Sequence, residues 1–175
     1  CDQGPTNVSA LKILGYTTDR PFCTHPTTSK KVHVIFDVPH LIKNIRNNLT
    51  RHDIITSDGC KVSWKFINQM YEIDKQNKLR LCHKLKKTHL NPKGQLAMRV
   101  RLATQVFSHS VAASMSTCIE AKLLPPDALD TVDFLQKMDK LFDLLNSRRK
   151  IADKLQRNAL PNPATGTSVL PDLLQ

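Results

Sequence analysis

The stretch Val32–Leu49, VHVIFDVPHLIKNIRNNL, constrains the fold more than any other part of the chain. Val32 to Phe36 is a short apolar run rich in β-branched residues, which predicts a strand buried in a sheet. Asp37 is expected to end this strand and to cap a helix, because its carboxylate can accept from the free N–H groups of the first turn. Pro39 is tolerated in that turn, since it needs no donor there. We therefore predict a strand, a turn and a helix.

The predicted helix is amphipathic. Leu41, Ile45 and Leu49 recur every four residues, with Ile42 beside them, and are expected to pack against a core. The opposite face is expected to be basic and exposed to water; it carries Lys43, Asn44, Arg46, Asn47 and Asn48.

Asp37 and His40 form a second feature of the same stretch, because a carboxylate three residues before an imidazole shares one helical turn with it. Such a pair can fix the tautomer of the histidine or hold the ring towards DNA. The alternative is a helix cap followed by a first-turn histidine that has no chemical role. The spacing alone favours the cap.

Apolar periodicity predicts a mostly helical chain after this stretch. A turn is expected at Ser57-Asp58-Gly59, and residues 16–31 are expected to form a loop. The predicted helices are 7–14, ended by Gly15, then 62–77, 95–121 and 128–146. Residues 161–175 contain three prolines and no Lys or Arg, which is typical of a linker or of an incomplete continuation.

The formal charge of +11 is unevenly distributed. Residues 75–119 contain nine Lys or Arg and no Asp or Glu, whereas residues 125–146 contain five Asp and two Lys. This segregation is expected if nucleic acid or nucleotide phosphates meet the basic part. The alternative is a solvated basic face without a partner.

The cysteines and the apolar runs exclude several classes of protein. Five irregularly spaced cysteines favour reduced thiols over a disulfide framework. Cys60, Cys82, His83 and His89 lack the paired close spacing of a structural zinc site. We expect no membrane partner, because no apolar run is long enough to span a bilayer.

The run Phe36 to Leu49 resembles the Asp-x-x-His signature of P-element-type transposases, including those with an N-terminal THAP zinc domain. Further matching motifs occur in the family's order: Cys1-Asp2-Gln3-Gly4, Lys84-Leu85, Met98-Arg99-Val100 and Phe142-Asp143-x-x-Asn146-Ser147. The resemblance covers roughly residues 1 to 150. The departures are Val38, Lys86 and Arg99, where the family commonly has proline, threonine and lysine.

The resemblance implies an α/β fragment followed by a mostly α-helical insertion domain. Residues 1–52 would belong to an RNase H-like catalytic domain with strand-helix units, and residues 53–160 to a GTP-binding insertion domain. Residues 161–175 would be the linker or continuation. The whole would be a fragment of a transposase that acts in the nucleus, binds DNA at transposon ends or target, and forms homo-oligomers at full length.

Asp2 matches one of the carboxylates that hold two Mg²⁺ ions in RNase H-like transposases, where the metals activate the attacking oxygen and stabilise the leaving one. The resemblance places the other metal ligands before Cys1 and beyond Gln175, so this chain alone is expected to be inactive. Without the resemblance, an Asp at a strand end is a turn or cap residue.

The resemblance also implies a GTP site of an unusual kind, because the chain has no G-x-x-x-x-G-K-[ST] loop. Asp143 could accept both guanine donors, N1–H and the 2-amino group, while Phe142 stacks on the base. The other expected contacts are Asn146, Lys84, Arg99, Val100 and Ser108. Without the resemblance, Phe142 is a core residue and Asp143 a solvated helix residue.

Two further hypotheses stay open from the sequence. One is a domesticated relative that keeps the fold as a nucleic-acid or protein interaction module and no longer moves DNA. The other is an unrelated basic helical protein, which would bind neither nucleotide nor DNA.

Overall fold

The computed structural model describes residues 1–146. The helices are α1 (Pro5–Ile13), α2 (Val38–Leu49), α3 (Trp64–Gln76), α4 (Lys87–Leu90), α5 (Val100–Val106), α6 (His109–Glu120) and α7 (Leu129–Leu145). The strands are β1 (Phe22–Thr24), β2 (Lys31–His33), β3 (Ile54–Ile55) and β4 (Lys61–Val62). Short 3-10 turns cover Gly94–Met98 and Pro126–Ala128. Residues 161–175, predicted to be a linker, lie outside the described residues.

Helix α2 begins as the sequence predicts. The carboxylate of Asp37 accepts from the backbone N–H of His40 at 3.1 Å, so Asp37 is confirmed as the N-cap. Ile42 and Leu49 are each 1 % exposed and belong to the core, as expected for the apolar face. The cap and the apolar stripe together fix where the helix starts and which face it buries.

The prediction that Arg46 lies on the wet face of α2 is wrong. Arg46 is fully buried, and its guanidinium donates from Nη2 to the carbonyl of Ala97 at 2.7 Å and from Nε to Asn47 Oδ1 at 2.8 Å. The Gly94–Met98 turn covers this side of the helix. The helical period could not show this, because the covering segment is about fifty residues away in sequence.

The predicted strand at Val32–Phe36 is shorter than expected and is not buried. Strand β2 ends at His33, and it pairs antiparallel with β1 through Phe22 opposite His33. Val32 is 44 % exposed and Ile35 is 74 % exposed. The expected loop over 16–31 therefore contains β1, and within the described residues only this one strand pairs with β2. A run of apolar β-branched residues predicts an extended backbone, but it does not show whether other segments pack over the strand and bury it.

The turn predicted at Ser57-Asp58-Gly59 is confirmed. It joins β3 to β4, which pair antiparallel with Ile54 opposite Val62. Gly59 has φ +81°, a left-handed conformation that favours glycine. The hairpin is attached to the start of α7, because the N–H of Lys61 donates to Asp130 at 2.9 Å.

The long helix predicted over 95–121 is wrong, because the chain breaks it into the 3-10 turn, α5 and α6. Phe107 has ψ 57° and Ser108 has ψ 151°, which are not helical values. Phe107 is 1 % exposed and packs edge-on against Phe134, with ring centroids 6.2 Å apart. The apolar spacing continues across the break, so periodicity alone could not locate it.

The core lies among α2, α3, α5, α6 and α7. The helices predicted over 7–14, 62–77 and 128–146 are confirmed as α1, α3 and α7 with ends shifted by one or two residues. The apolar side chains that these five helices bury in the core include Ile42, Leu49, Ile67, Met70, Ala103, Val106, Val111, Met115, Val132 and Leu135. The described part of the chain is thus mostly helical, and its RNase H-like character stays a prediction.

Candidate nucleotide-binding site

A cavity of about 360 Å³ lies between the segment 81–85, the junction of α5 with α6, and the C-terminal half of α7. We call it the α6–α7 cavity. Four residues predicted to bind nucleotide line it: Lys84, Ser108, Phe142 and Asp143. They are far apart in sequence, so the tertiary structure brings them together.

Helix α7 supplies the acidic and aromatic wall of the cavity. Asp143 is only 6 % exposed, so the alternative of a solvated helix residue is wrong. Phe142 is half-buried and packs against the core with part of its ring on the cavity. Asp139 also lines the cavity. It precedes Asp143 by four residues, and this spacing puts both carboxylates on one helix face.

The N-terminus of α6 supplies a second wall, and it exists because the chain leaves the helical conformation at Phe107. Ser108 is the N-cap residue of α6, but its hydroxyl donates back to the Gln105 carbonyl at 2.9 Å and makes no side-chain cap. The first-turn residues His109 and Ser110 line the cavity. The positive end of the helix dipole therefore faces a space that also contains Lys84, which favours an anion.

The segment 81–85 is held in place by a buried carboxylate on α3. Asp74 is 1 % exposed and accepts from the N–H of Leu81 at 2.6 Å, from the N–H of Cys82 at 3.3 Å and from Arg80 Nε at 3.1 Å. Arg80 Nη2 in turn donates to the carbonyls of Cys82 and Leu85 at 3.2 Å and 3.0 Å. These bonds shape the segment so that Lys84 is exposed at the cavity.

Cys82 attaches the same segment to α6. Its Sγ lies 3.0 Å from Ser114 Oγ and 3.2 Å from the Ser110 carbonyl. Burial raises the pKa of the Cys82 thiol, although the Ser114 hydroxyl opposes this shift. The thiol is therefore a neutral structural contact, and Cys82 is a free cysteine, in agreement with the expectation of reduced thiols.

The remaining nucleotide-binding candidates do not line the α6–α7 cavity. Arg99 is the exposed N-cap of α5, and Val100 follows it with its side chain partly packed on the core. Asn146 is the exposed C-cap of α7, one turn beyond Phe142. Their contacts with nucleotide stay predictions.

Sequence reasoning missed six polar residues of the cavity wall, which are His83, Thr104, Gln105, His109, Ser110 and Asp139. Asp139 was detectable from its helical spacing to Asp143. Thr104 and Gln105 were not, because the predicted continuous helix gave no reason to place the end of α5 at a cavity. Gln105 is oriented by His89, whose Nε2 hydrogen-bonds its side-chain oxygen.

Asp2 lies at a separate place, close to the start of α2. Its Oδ1 accepts from the N–H of Gly4 at 2.9 Å and from Asn7 Nδ2 at 2.7 Å. These two hydrogen bonds, the backbone one first, lower the pKa of Asp2, and the charge of His40 adds to the effect. The N–H of Asp37 donates to the Cys1 carbonyl at 2.7 Å, which joins the two segments.

The family signature pair is in contact, because His40 Nδ1 lies 3.9 Å from Asp37 Oδ2. The carboxylate of Asp37 is therefore both the helix cap and the neighbour of the imidazole. Within residues 1–146 no group of three or more His, Cys, Asp or Glu side chains is placed to hold a metal ion. Asp2 can offer one carboxylate to a metal, but the described residues near it do not complete a site.

Comparison with known proteins assigns the family. The model of the TNP-like, GTP-binding insertion domain matches residues 39–158, and the chain belongs to this family. The predicted relationship to P-element-type transposases is thereby confirmed. Within the described residues, no helix is long and apolar enough to cross a membrane.

The relatives are transposases. The chain is 30% identical over 148 residues to the transposable element P transposase of Drosophila melanogaster, covering 84% of this chain and 20% of that protein. It is 29% identical over 161 residues to the human DNA transposase THAP9, covering 89% of this chain and 18% of that protein. The chain thus spans about a fifth of the length of these relatives.

The fold is also similar to a solved structure, the Drosophila P element transposase strand transfer complex. The TM-score is 0.82 at 26% sequence identity, and the match covers 94% of this chain and 38% of that chain. The helical arrangement described above is therefore that of a transposase-family protein.

Proposed function

We propose that this chain is the guanine-nucleotide-binding part of a P-element-like DNA transposase, and that the α6–α7 cavity holds GTP. The observation that carries the proposal is the position of Asp143, a nearly buried carboxylate on the same cavity wall as Phe142, with Lys84 and the N-terminus of α6 also lining the cavity. This set offers an acceptor for a base and positive charge for phosphates in one cavity.

Guanine is the base that suits a buried carboxylate. Its N1–H and 2-amino group are adjacent donors, and the two oxygens of Asp143 can accept both. Adenine offers an acceptor at N1 and no 2-amino group, so it would bring no donor to the carboxylate in the desolvated cavity. Phe142 provides an apolar ring against which a base can pack.

The phosphates would be held without a glycine-rich loop. Lys84 is exposed at the cavity, and the first turn of α6 presents backbone N–H groups next to it. The Ser108 hydroxyl is a further polar contact. Arg99, Val100 and Asn146 are proposed to contact parts of the nucleotide that extend beyond the cavity wall.

GTP is proposed to act as a structural or assembly cofactor rather than as a fuel. A site made of α6, α7 and the segment 81–85 is stabilised as a unit when a ligand bridges its walls. In the full-length protein this would support assembly on DNA, in homo-oligomers and in the nucleus. The comparisons do not favour the alternative of a domesticated interaction module.

The catalytic proposal concerns Asp2. We propose that its carboxylate supplies one ligand of the Mg²⁺ site of the transposase, near the signature pair Asp37 and His40. The carboxylate is already ionised and oriented by Gly4 and Asn7, which suits a metal ligand. When bound, Mg²⁺ would activate the oxygen that attacks a phosphodiester.

The decisive experiment measures the binding of GTP, ATP and xanthosine triphosphate by calorimetry. The wild type is expected to prefer GTP over ATP, by about 10⁴-fold in the most favourable case for a site that pairs with a ligand donor. In Asp143→Asn one acceptor oxygen is replaced by a donor. The affinity for GTP should therefore fall, and the affinity for xanthosine triphosphate, which has a 2-oxo group, should rise.

The matched control is Asp133→Asn, the same change at an exposed position of α7. It should leave the preference for GTP unchanged. Equal affinity of the wild type for GTP and ATP, or an Asp143→Asn variant with unaltered preference, would remove Asp143 from the site and contradict the proposal.

A further inference from the structure

A second cavity, of about 560 Å³, lies between α2, α3 and the segment from α4 to the Gly94–Met98 turn. We call it the α2–α3 cavity. It shares no lining residue with the α6–α7 cavity. Its wall combines three asparagine amides, two cationic side chains and two aromatic side chains, which are Asn47, Asn68, Asn91, Arg51, Lys87, Trp64 and Tyr71.

The buried arginine of α2 lies directly behind this wall. Both acceptors of Arg46, Asn47 Oδ1 and the Ala97 carbonyl, belong to cavity-lining residues. Its Nη1 has no hydrogen-bond partner within the described residues, and no carboxylate pairs with the guanidinium there. Because Asn47 Oδ1 is occupied by Arg46, the amide nitrogen of Asn47 is left as the group that can face a ligand, and it is a donor.

The cavity carries net positive charge. Arg51 and Lys87 form no ion pair within residues 1–146, and the single acid of the wall, Glu72, lies 3.9 Å from Lys75. The guanidinium of Arg46 adds a third cation at the wall. A ligand that fills the cavity is therefore expected to be anionic.

The rest of the lining is suited to more than a simple anion. Trp64 and Tyr71 are each 7 % exposed, and together with Leu90 and Pro92 they form the apolar part of the lining. The side chains of Asn68 and Asn91 have no hydrogen-bond partner within the described residues, so their donors and acceptors are available to a ligand. A nucleobase has an apolar ring with alternating donors and acceptors on its edge, which amide groups can match.

We propose that the α2–α3 cavity binds a nucleotide, with its phosphate on Arg51 and Lys87 and its base edge on the asparagine amides. The volume is within the range of small-molecule sites, about 300 to 1,000 Å³. The nucleotide is either free or a unit of a DNA strand, since both present the same phosphate and base. The proposal is independent of GTP binding in the α6–α7 cavity.

The chain contains its own reporter for this site. Trp64 is its only tryptophan, it lines the α2–α3 cavity, and its Nε1 donates to the Leu90 carbonyl at 3.3 Å. A base that enters the cavity should quench its fluorescence, whereas a nucleotide in the α6–α7 cavity touches no tryptophan. Calorimetry with GTP therefore tests the α6–α7 cavity and Trp64 quenching tests the α2–α3 cavity, so that either proposal can fail without the other.

The experiment titrates the whole chain with deoxyadenosine monophosphate and with an eight-nucleotide single-stranded DNA. Saturable quenching is expected with at least one of them. The double variant Arg51→Ala/Lys87→Ala should bind the ligand that quenches Trp64 at least about tenfold more weakly, because two charged contacts are lost. For the DNA, the slope of log affinity against log salt should become shallower by about 0.7, the contribution of one neutralised phosphate on a single strand.

The matched control is Lys12→Ala/Lys137→Ala, which removes the same number of charges at exposed positions outside both cavities. It should keep the wild-type affinity. Quenching by the monophosphate would identify a free nucleotide as a ligand, and quenching by DNA alone would identify a strand. Absence of saturable quenching with both probes, or equal weakening in the two double variants, would overturn the proposal.

Discussion

Replacing Asp74 with asparagine tests how the α6–α7 cavity is built. Asp74 lines neither of the two cavities described above, yet its carboxylate holds the segment 81–85 through two backbone N–H groups and Arg80. Asparagine has the same shape but keeps only one acceptor oxygen, and its NH₂ group would point at donors. The variant should therefore lose stability and nucleotide affinity together.

The magnitude follows from burial and from the partners. The side chain of Asp74 has no exposed area, while that of Arg80 is 25% exposed. Removing one partner of a buried ion pair costs about 3 to 5 kcal/mol, and the partial exposure of Arg80 places the expected loss near the lower end, at about 3 kcal/mol. For a chain of this length the melting temperature should fall by about 6 to 12 °C.

The assay is urea and thermal unfolding followed by far-ultraviolet circular dichroism. The control is Glu72→Gln, on the same helix but with a side chain that is 63% exposed and an ion pair of 3.9 Å to Lys75. It should change the free energy of unfolding by less than about 0.5 kcal/mol. GTP affinity is measured at a temperature at which both variants are folded, and only Asp74→Asn should weaken it.

Two outcomes would contradict this account of Asp74. A loss below about 1 kcal/mol would show that the three hydrogen bonds do not anchor the segment. A large loss of stability with unchanged GTP affinity in the folded variant would show that the segment, and Lys84 with it, does not contribute to the site.

Three further outcomes are expected. Arg46→Met should change the free energy of unfolding by less than about 1 kcal/mol, because it removes a buried cation without a carboxylate partner, whereas Arg46→Ala should cost about 2 to 4 kcal/mol by leaving a cavity. Urea unfolding of both variants measures this, and a methionine variant less stable than the alanine variant would disprove it. Weak DNA binding that does not depend on base sequence is expected through Lys75 to Arg101, and its affinity should fall steeply as salt is added. Equal affinities at low and moderate salt would show that this segment is a solvated basic face without a DNA partner. The chain alone should neither cleave nor join DNA, because Asp2 is one carboxylate of a set; Mg²⁺-dependent cleavage that Asp2→Ala abolishes would show otherwise.

The local features of the fold could be predicted from the sequence. Asp37 caps α2, Gly59 turns the β3–β4 hairpin, and the apolar spacing marks α3 and α7. Each of these depends on interactions within a few residues, such as a side-chain cap or a helical period, and these interactions leave a direct pattern in the sequence. The ordered motifs likewise identified the family and four of the residues that line the α6–α7 cavity.

Contacts between distant segments were decided only by the tertiary structure. Arg46 is buried because the turn near Ala97 packs over it, and helix 95–121 is broken because Phe107 enters the core. The α6–α7 cavity exists because that break aims the start of α6 at the C-terminal half of α7. The apolar period of a helix shows which of its faces is apolar. It does not show which remote segment packs over a given face, and that segment decides whether a side chain there is buried.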